Sequence, residues 1–244
     1  MHALLSLTLL TSAFSLVTGT VIKLNGDACK SHGDYELCND QWNAYAGTGS
    51  QVSYLTGGSS DTISWMTRWN WTGASNEVKT YANVASTTAK GMTLSNIEAV
   101  PTKWKWHYHS GEDVCADISY DIWLGYSPNG DPGTSGTAYE IMIWLNAEGG
   151  VSPIGSLNCS DVSIASHTWD VYAGPNSNWE TISFVAQGDL ADFDDDLAPF
   201  FEWLIAYMGV SSSLYLHQIA GGHETFTGSA TFVTDNFYVS VETH

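Results

Sequence analysis

Tyr139-Glu140-Ile141-Met142-Ile143-Trp144-Leu145 alternates between two kinds of side chain. A β-strand sends successive side chains to opposite sides of its sheet. Ile141, Ile143 and Leu145 then share one side, and they suit the space between two packed sheets. Glu140, Met142 and Trp144 share the other. A carboxylate between a Met and a Trp is poorly solvated, and ionising it is unfavourable unless something partners it. A structural ion pair is the ordinary use for such a Glu. Only 7 Lys and Arg residues are available for one. The pattern therefore points to a working carboxylate.

The rhythm continues on both sides of this strand. In Ala116–Leu124, Asp117, Ser119, Asp121 and Trp123 fall together, with Ile118, Tyr120 and Ile122 opposite. If that strand pairs beside Glu140, Asp121 approaches it, and two close acids push their proton affinities apart. Trp104–His109 alternates Trp104, Trp106 and Tyr108 against Lys105, His107 and His109. Further strands are expected at Thr62–Trp71, Thr168–Tyr172, Thr181–Ala186, Leu214–Ile219 and Ala230–Ser240, separated by Gly, Asn, Ser and Pro clusters. Ser127–Gly136 reads as a loop. One stretch keeps helical spacing: Leu197, Phe200, Phe201, Leu204, Ile205 and Met208, ending at Gly209. Asp194, Asp195 and Asp196 precede it and are expected to cap its N-terminus. The whole predicts an all-β sandwich carrying one amphipathic helix.

The second functional candidate is Gly221-Gly222-His223-Glu224-Thr225-Phe226-Thr227-Gly228, where a carboxylate follows a double glycine. Glycines let a backbone turn or a ligand approach closely. By itself the segment also fits a turn with an exposed Glu.

Bulk composition narrows the partners. The 244 residues suit one domain. The net charge of −19 repels phosphate backbones, anionic lipid and polyanionic polymers, and leaves neutral polymers compatible. The 11 Trp and 12 Tyr suit sugar rings, which stack C–H faces on aromatics. Met1–Gly19 reads as a signal peptide, leaving residues 20–244 as the mature domain of a secreted monomer. Cys29, Cys38, Cys115 and Cys159 allow three pairings. Asn70-Trp71-Thr72 and Asn158-Cys159-Ser160 are glycosylation sequons.

Taken together, Tyr139–Leu145 and Gly222–Gly228 resemble the paired signature of glycoside hydrolase family 12. Supporting matches include Tyr35–Trp42, Trp69–Gly73, Val78–Asn83, Ile118–Asp121, Ser152–Gly155 and Ser183–Ala186, spread along nearly the whole mature chain. The resemblance implies a β-jelly roll: two curved antiparallel sheets, one helix, and a substrate cleft across the concave face. It implies a retaining endo-hydrolase of β-1,4-glucans, with Glu140 as nucleophile, Glu224 as general acid/base and Asp121 beside the nucleophile. Trp42, Asn39, Met142 and Trp144 are the expected sugar contacts. No metal or cofactor is called for.

Departures from the family pattern are His223 and Thr225 around Glu224, Asp40 for a usual Asn, Met66 after Trp65, and no Cys near Gln51. His223 is expected to influence the pH optimum, and loss of the family's Pro at Thr225 to loosen the segment. Cellulose-type or mixed-linkage glucan is the expected substrate, with xyloglucan the alternative, since Ser127–Gly136 could border a wide cleft. Two other readings are a non-catalytic glucan-binding protein and a metal role for His107 and His109.

Overall fold

A computed structural model describes residues 21–244, so the expected signal peptide lies outside the described residues. In chain order the strands are β1 (Ile22–Asn25), β2 (Cys29–His32), β3 (Tyr35–Cys38), β4 (Thr48–Gly58), β5 (Ile63–Thr72), β6 (Thr80–Ser86), β7 (Ile97–Ala99), β8 (Pro101–Gly125), β9 (Thr137–Glu148), β10 (Ser156–Ile164), β11 (His167–Asn176), β12 (Trp179–Ala186) and β13 (Asp192–Asp196). The helix α1 (Ala198–Tyr207) follows, then β14 (Tyr215–Val239) and β15 (Glu242–Thr243).

Two 25-residue strands, β8 and β14, organise everything else. They pair antiparallel along almost their full length. The first half of β8 and the second half of β14 belong to an outer sheet, completed by β5, β4 and β1 on one side and β13 on the other. The remaining halves belong to an inner sheet, flanked by β6, β3 and β2 on one side and by β9, β12, β11 and β10 on the other. Register shifts near Thr225, Thr227 and Ser229 mark where the pair bends from one sheet to the other. This is the jelly roll, with one amendment: β9 and β12 run parallel, so the inner sheet is mixed.

The double glycine Gly221-Gly222 is inside β14, where the sequence left a turn or a close approach open. A Cβ on Gly221 would lie 2.4 Å from the Phe237 ring, and one on Gly222 would lie 2.4 Å from the Ala82 carbonyl. The glycines let a ring and a neighbouring strand close onto β14, and the strand runs on to present Glu224.

The core is aromatic. Trp65, Trp104, Tyr120, Phe232 and Phe237 are buried and touch one another between the sheets at centroid distances of 5.1–6.5 Å. Ile118, Ile122, Ile141, Ile143 and Leu145 join them, as the alternation predicts. Deeper toward β4, hydroxyls and amides bond in pairs: Ser53 donates to Asn39 Oδ1 at 2.7 Å, Thr80 donates to Gln51 Oε1 at 2.7 Å, and Thr80 also bonds to the Thr225 hydroxyl. Thr225, at the family's Pro position, is thereby anchored and remains in strand register with Ala116 and Thr80.

Helix α1 buries Ala198, Phe200, Phe201 and Leu204 against the sandwich. It ends at Met208, and Gly209 turns with φ of +72°, which suits glycine. The acidic run before it is a strand and not a cap as expected. Asp192 and Asp194 reach Lys105 and Lys103 across β8. Only Asp196 serves the helix: its Oδ1 accepts the N–H of Ala198 at 2.9 Å and that of Val100 at 2.7 Å.

Cys29 and Cys38 form a disulfide across β2 and β3, and Cys115 and Cys159 are free. The free pair stands on β8 and β10, with β9, β12 and β11 between them, which is about 19 Å at ~4.8 Å per strand. No helix among the described residues is long and apolar enough to cross a membrane. Asn70 and Asn158 of the sequons are exposed.

Candidate active site

The inner sheet's open face forms a cleft of about 860 Å³. Glu140 projects from β9, Glu224 from β14 and Asp121 from β8, and all three line it. Cross-strand register explains the grouping. Asp121 lies opposite Met142, diagonal to Glu140 on the same face. Glu224 lies opposite Asp117 on β8 and Tyr81 on β6.

Glu140 is held by one oxygen. Its Oε2 accepts hydrogen bonds from Asn176 Nδ2 at 3.0 Å, Trp179 Nε1 at 3.2 Å and the Thr181 hydroxyl. Thr181 reaches it because β12 runs alongside β9 in register, Thr181 opposite Glu140. Three donors on Oε2 fix the carboxylate plane and leave Oε1 for a substrate.

Glu224 is in a different state. Burial pushes its pKa well above the usual carboxylate range, and the negative charges of Asp117, Glu140 and Asp121 push it further. Asp117 is fully buried; its Oδ1 accepts the Ser119 hydroxyl at 2.7 Å. The remaining oxygen, Oδ2, is buried without a side-chain donor. Glu224 and Asp117 face each other across β14 and β8, so each affects the other's proton affinity. Asp121 also sits high, first through burial and then through the charge of Glu140. Trp123 Nε1 donates to its Oδ2 at 2.7 Å. No Lys or Arg lines the cleft to offset these acids. One carboxyl fixed by donors beside another with raised proton affinity is an arrangement that can supply a nucleophile and an acid at one site.

The expected sugar contacts divide. Trp42 lines the cleft and is 54% exposed, an open ring face that nothing in the protein covers. Met142 and Trp144 line it from below, nearly buried. Asn39 does not line the cleft. It is fully buried: Nδ2 donates to the Gly26 carbonyl at 2.8 Å, and Oδ1 accepts from Ser53. Its successor Asp40 takes the place at the cleft, turned there by a positive φ of 31°. Burial, and after it the charge of Asp27, raises Asp40 to about 6.

His223 does not act on Glu224 as expected. Strand alternation sends its ring inward against Phe232, 4.5 Å between centroids. Burial lowers its pKa to about 3, so it is neutral at ordinary pH. His107 and His109 lie on the outer sheet, and His107 pairs with Asp235 at 3.1 Å.

Sequence reasoning missed Trp123, Asn176, Trp179, Thr181 and Asp117 as parts of this site. Asp117 and Trp123 were visible in the alternation that singled out Asp121. Asn176, Trp179 and Thr181 carried no local signal, because the parallel pairing of β12 with β9, and the β11–β12 hairpin that sets Asn176 beside Trp179, are what bring them in.

The family model for glycosyl hydrolase family 12 matches residues 33–242. The chain belongs to that family. Among family 12 relatives, it is 40% identical to a xyloglucan-specific endo-β-1,4-glucanase A of Aspergillus niger over 242 residues, 96% of this chain and 98% of that one. The catalytic domain of Humicola grisea Cel12A, solved with a thio cellotetraose, superposes with a TM-score of 0.84 at 32% identity, covering 91% of this chain and 99% of that one. Trichoderma harzianum endoglucanase 3, also of family 12, gives 0.86 at 30% identity, covering 93% and 100%. The protein is therefore a glycoside hydrolase with the jelly-roll fold of its family.

Proposed function

We propose that the chain is an exported enzyme that cuts internal β-1,4 bonds of xyloglucan and keeps the anomeric configuration. The observation that carries the catalytic part is the pairing, in one cleft, of a donor-fixed Glu140 with a protonated Glu224. Glu224 donates its proton to the departing glycosidic oxygen while Oε1 of Glu140 attacks the anomeric carbon. A covalent glycosyl-enzyme results. Glu224 then takes a proton from water, which attacks the same carbon and frees Glu140. Burial and the neighbouring acids Asp117, Glu140 and Asp121 raise the proton affinity of Glu224, which supports its protonated form at the start of each cycle.

Two observations favour the branched substrate. The Aspergillus relative at 40% identity is xyloglucan-specific by name. The loop 127–136 reaches the cleft edge through Pro132 and Gly133 and is tethered there. His217 Nε2 bonds to the Ser127 carbonyl at 2.8 Å, Lys90 pairs with Asp131 at 3.0 Å, and Asn178 donates to the Thr134 carbonyl at 3.0 Å. A tethered loop keeps the cleft edge open. The likeness to Cel12A with its thio cellotetraose, and the open Trp42 face, favour unbranched cellulose chains as a second reading.

Initial rates on tamarind xyloglucan, mixed-linkage β-glucan and carboxymethyl cellulose separate the two. Xyloglucan is expected to be fastest; a higher rate on carboxymethyl cellulose overturns the substrate assignment. Glu140→Gln is expected to fold normally and to lose activity by about a thousandfold or more on every substrate. Retention of full activity would remove Glu140 from the mechanism.

A further inference from the structure

A second cavity, about 590 Å³, opens off the cleft beside Glu224. Asn76, Ser152 and Phe226 line both spaces, so the two adjoin. Its position follows from strand register. Phe226 is two residues beyond Glu224 on β14, and Cys115 is two residues before Asp117 on β8. The cavity therefore continues the strand direction past the acid/base, away from the cleft floor, between the β5–β6 loop and the β9–β10 loop.

The cavity is kept open by backbone. Gly149 has φ of +71°, and a Cβ there would meet the Val114 carbonyl at 2.4 Å and Cys115 Cα at 2.7 Å. The β9–β10 loop can lie against Cys115 only because that position has no side chain. Gly150 follows with nothing within 4 Å of where its Cβ would be. The lining mixes Val151 and Phe226, which offer apolar faces, with Asn76 and Ser152, which offer hydrogen-bonding groups. That mixture suits a sugar ring, which has C–H faces and hydroxyl edges. The volume falls within the roughly 300–1,000 Å³ of small-ligand pockets.

We infer that this cavity receives a glycosyl branch of the glucan backbone, carried on a backbone unit next to Glu224. The inference rests on the xyloglucan reading above, and it assigns the recognition of the branch to a place outside the cleft proper. An unbranched chain lies along the cleft and has nothing to put there. A branched chain directs a ring sideways from its backbone, and beside Glu224 the cavity offers that ring a place.

The cavity can be filled in two ways. In Cys159→Ser protein, already folded, the Cys115 thiol is alkylated with N-benzylmaleimide. Independently, Ser75→Trp places a large ring on the exposed rim. For each, kcat/KM is measured on xyloglucan and on mixed-linkage β-glucan. The expected result is a fall of about tenfold or more in the xyloglucan-to-β-glucan ratio, mostly through KM. An unchanged ratio in Ser75→Trp or in the alkylated protein, with xyloglucan still cleaved, overturns the branch site and leaves the substrate reading intact. A wild-type enzyme that cleaves β-glucan but not xyloglucan overturns both.

Discussion

Asp117 shows how much a single buried acid sets. It neither touches the cleft nor ranks among the expected catalytic residues, yet its charge is the first of the neighbouring charges that hold the proton on Glu224. Glu224 must be protonated to assist departure of the leaving group, so the alkaline limb of the kcat/KM profile reports loss of that proton. Removing the Asp117 charge lowers the proton affinity of Glu224. Asp117→Asn is therefore expected to move the alkaline limb to lower pH by about one unit, with the acid limb in place. An alkaline limb that stays where it was, in a folded variant, would remove Asp117 from the groups that set the proton affinity of Glu224. At the same scale, alternation made Glu140, Asp121 and the inward residues readable, because strand faces follow from spacing alone. It also hid Asn39: two adjacent polar residues look alike in sequence, and the positive φ of Asp40 decides which of them faces the cleft.

At the scale of elements, the long strands are the least readable feature. Trp104–His109 and Ala116–Leu124 read as separate strands because polar Ser110, Glu112 and Asp113 lie between them. They are one strand, since that polar stretch sits at the bend where both faces meet solvent. Gly221 and Gly222 stayed ambiguous for a related reason. Glycine signals either a turn or a close approach, and only the partner across the gap distinguishes them. The acidic run Asp192–Asp196 is similar: Asp caps helices, but it also serves an edge strand, where charge discourages further pairing. Asp196 does both tasks at one oxygen. Asp196→Ala leaves the N–H groups of Val100 and Ala198 without that acceptor. It is expected to destabilise the fold by about 1–2 kcal/mol in urea unfolding, with kcat unaltered. A loss below a few tenths of a kcal/mol would mean that water replaces the carboxylate at both amides.

For the whole molecule, the scarcity of cations and the closeness of the cleft acids have one consequence. Burial raises Asp40 to about 6 and Asp117 to about 7, and raises Glu224 and Asp121 further above their ordinary values. A group whose folded pKa is raised contributes stability in full below its unfolded pKa, and that contribution is lost as pH rises through the folded value. For these four acids the loss begins near pH 4 and continues through pH 7 and above. His223 runs the other way: lowered to about 3, it favours the folded state as pH rises toward its unfolded value of 6.5. It is one group against four. The melting temperature is therefore expected to fall between pH 5 and pH 8, and to fall less in Glu224→Gln. A melting temperature that rises over this range would contradict the raised carboxyls. The same acids that weaken the fold at high pH keep one proton ready for the leaving group.

The sequence by itself determined which faces are core and that the chain is a sandwich with one helix, because alternation and apolar content are local. It singled out Glu140 by alternation and Glu224 only through the family resemblance. Tertiary structure decided the rest. It set the parallel docking of β12 that, with the end of β11, supplies three donors to Glu140, the bend of β8 and β14 that joins two sheets, the disulfide partner of Cys29, and the cavity beyond Phe226. Each of these depends on segments far apart in the chain meeting at a given register. Register is fixed by packing summed over both sheets, and no short stretch of residues encodes it.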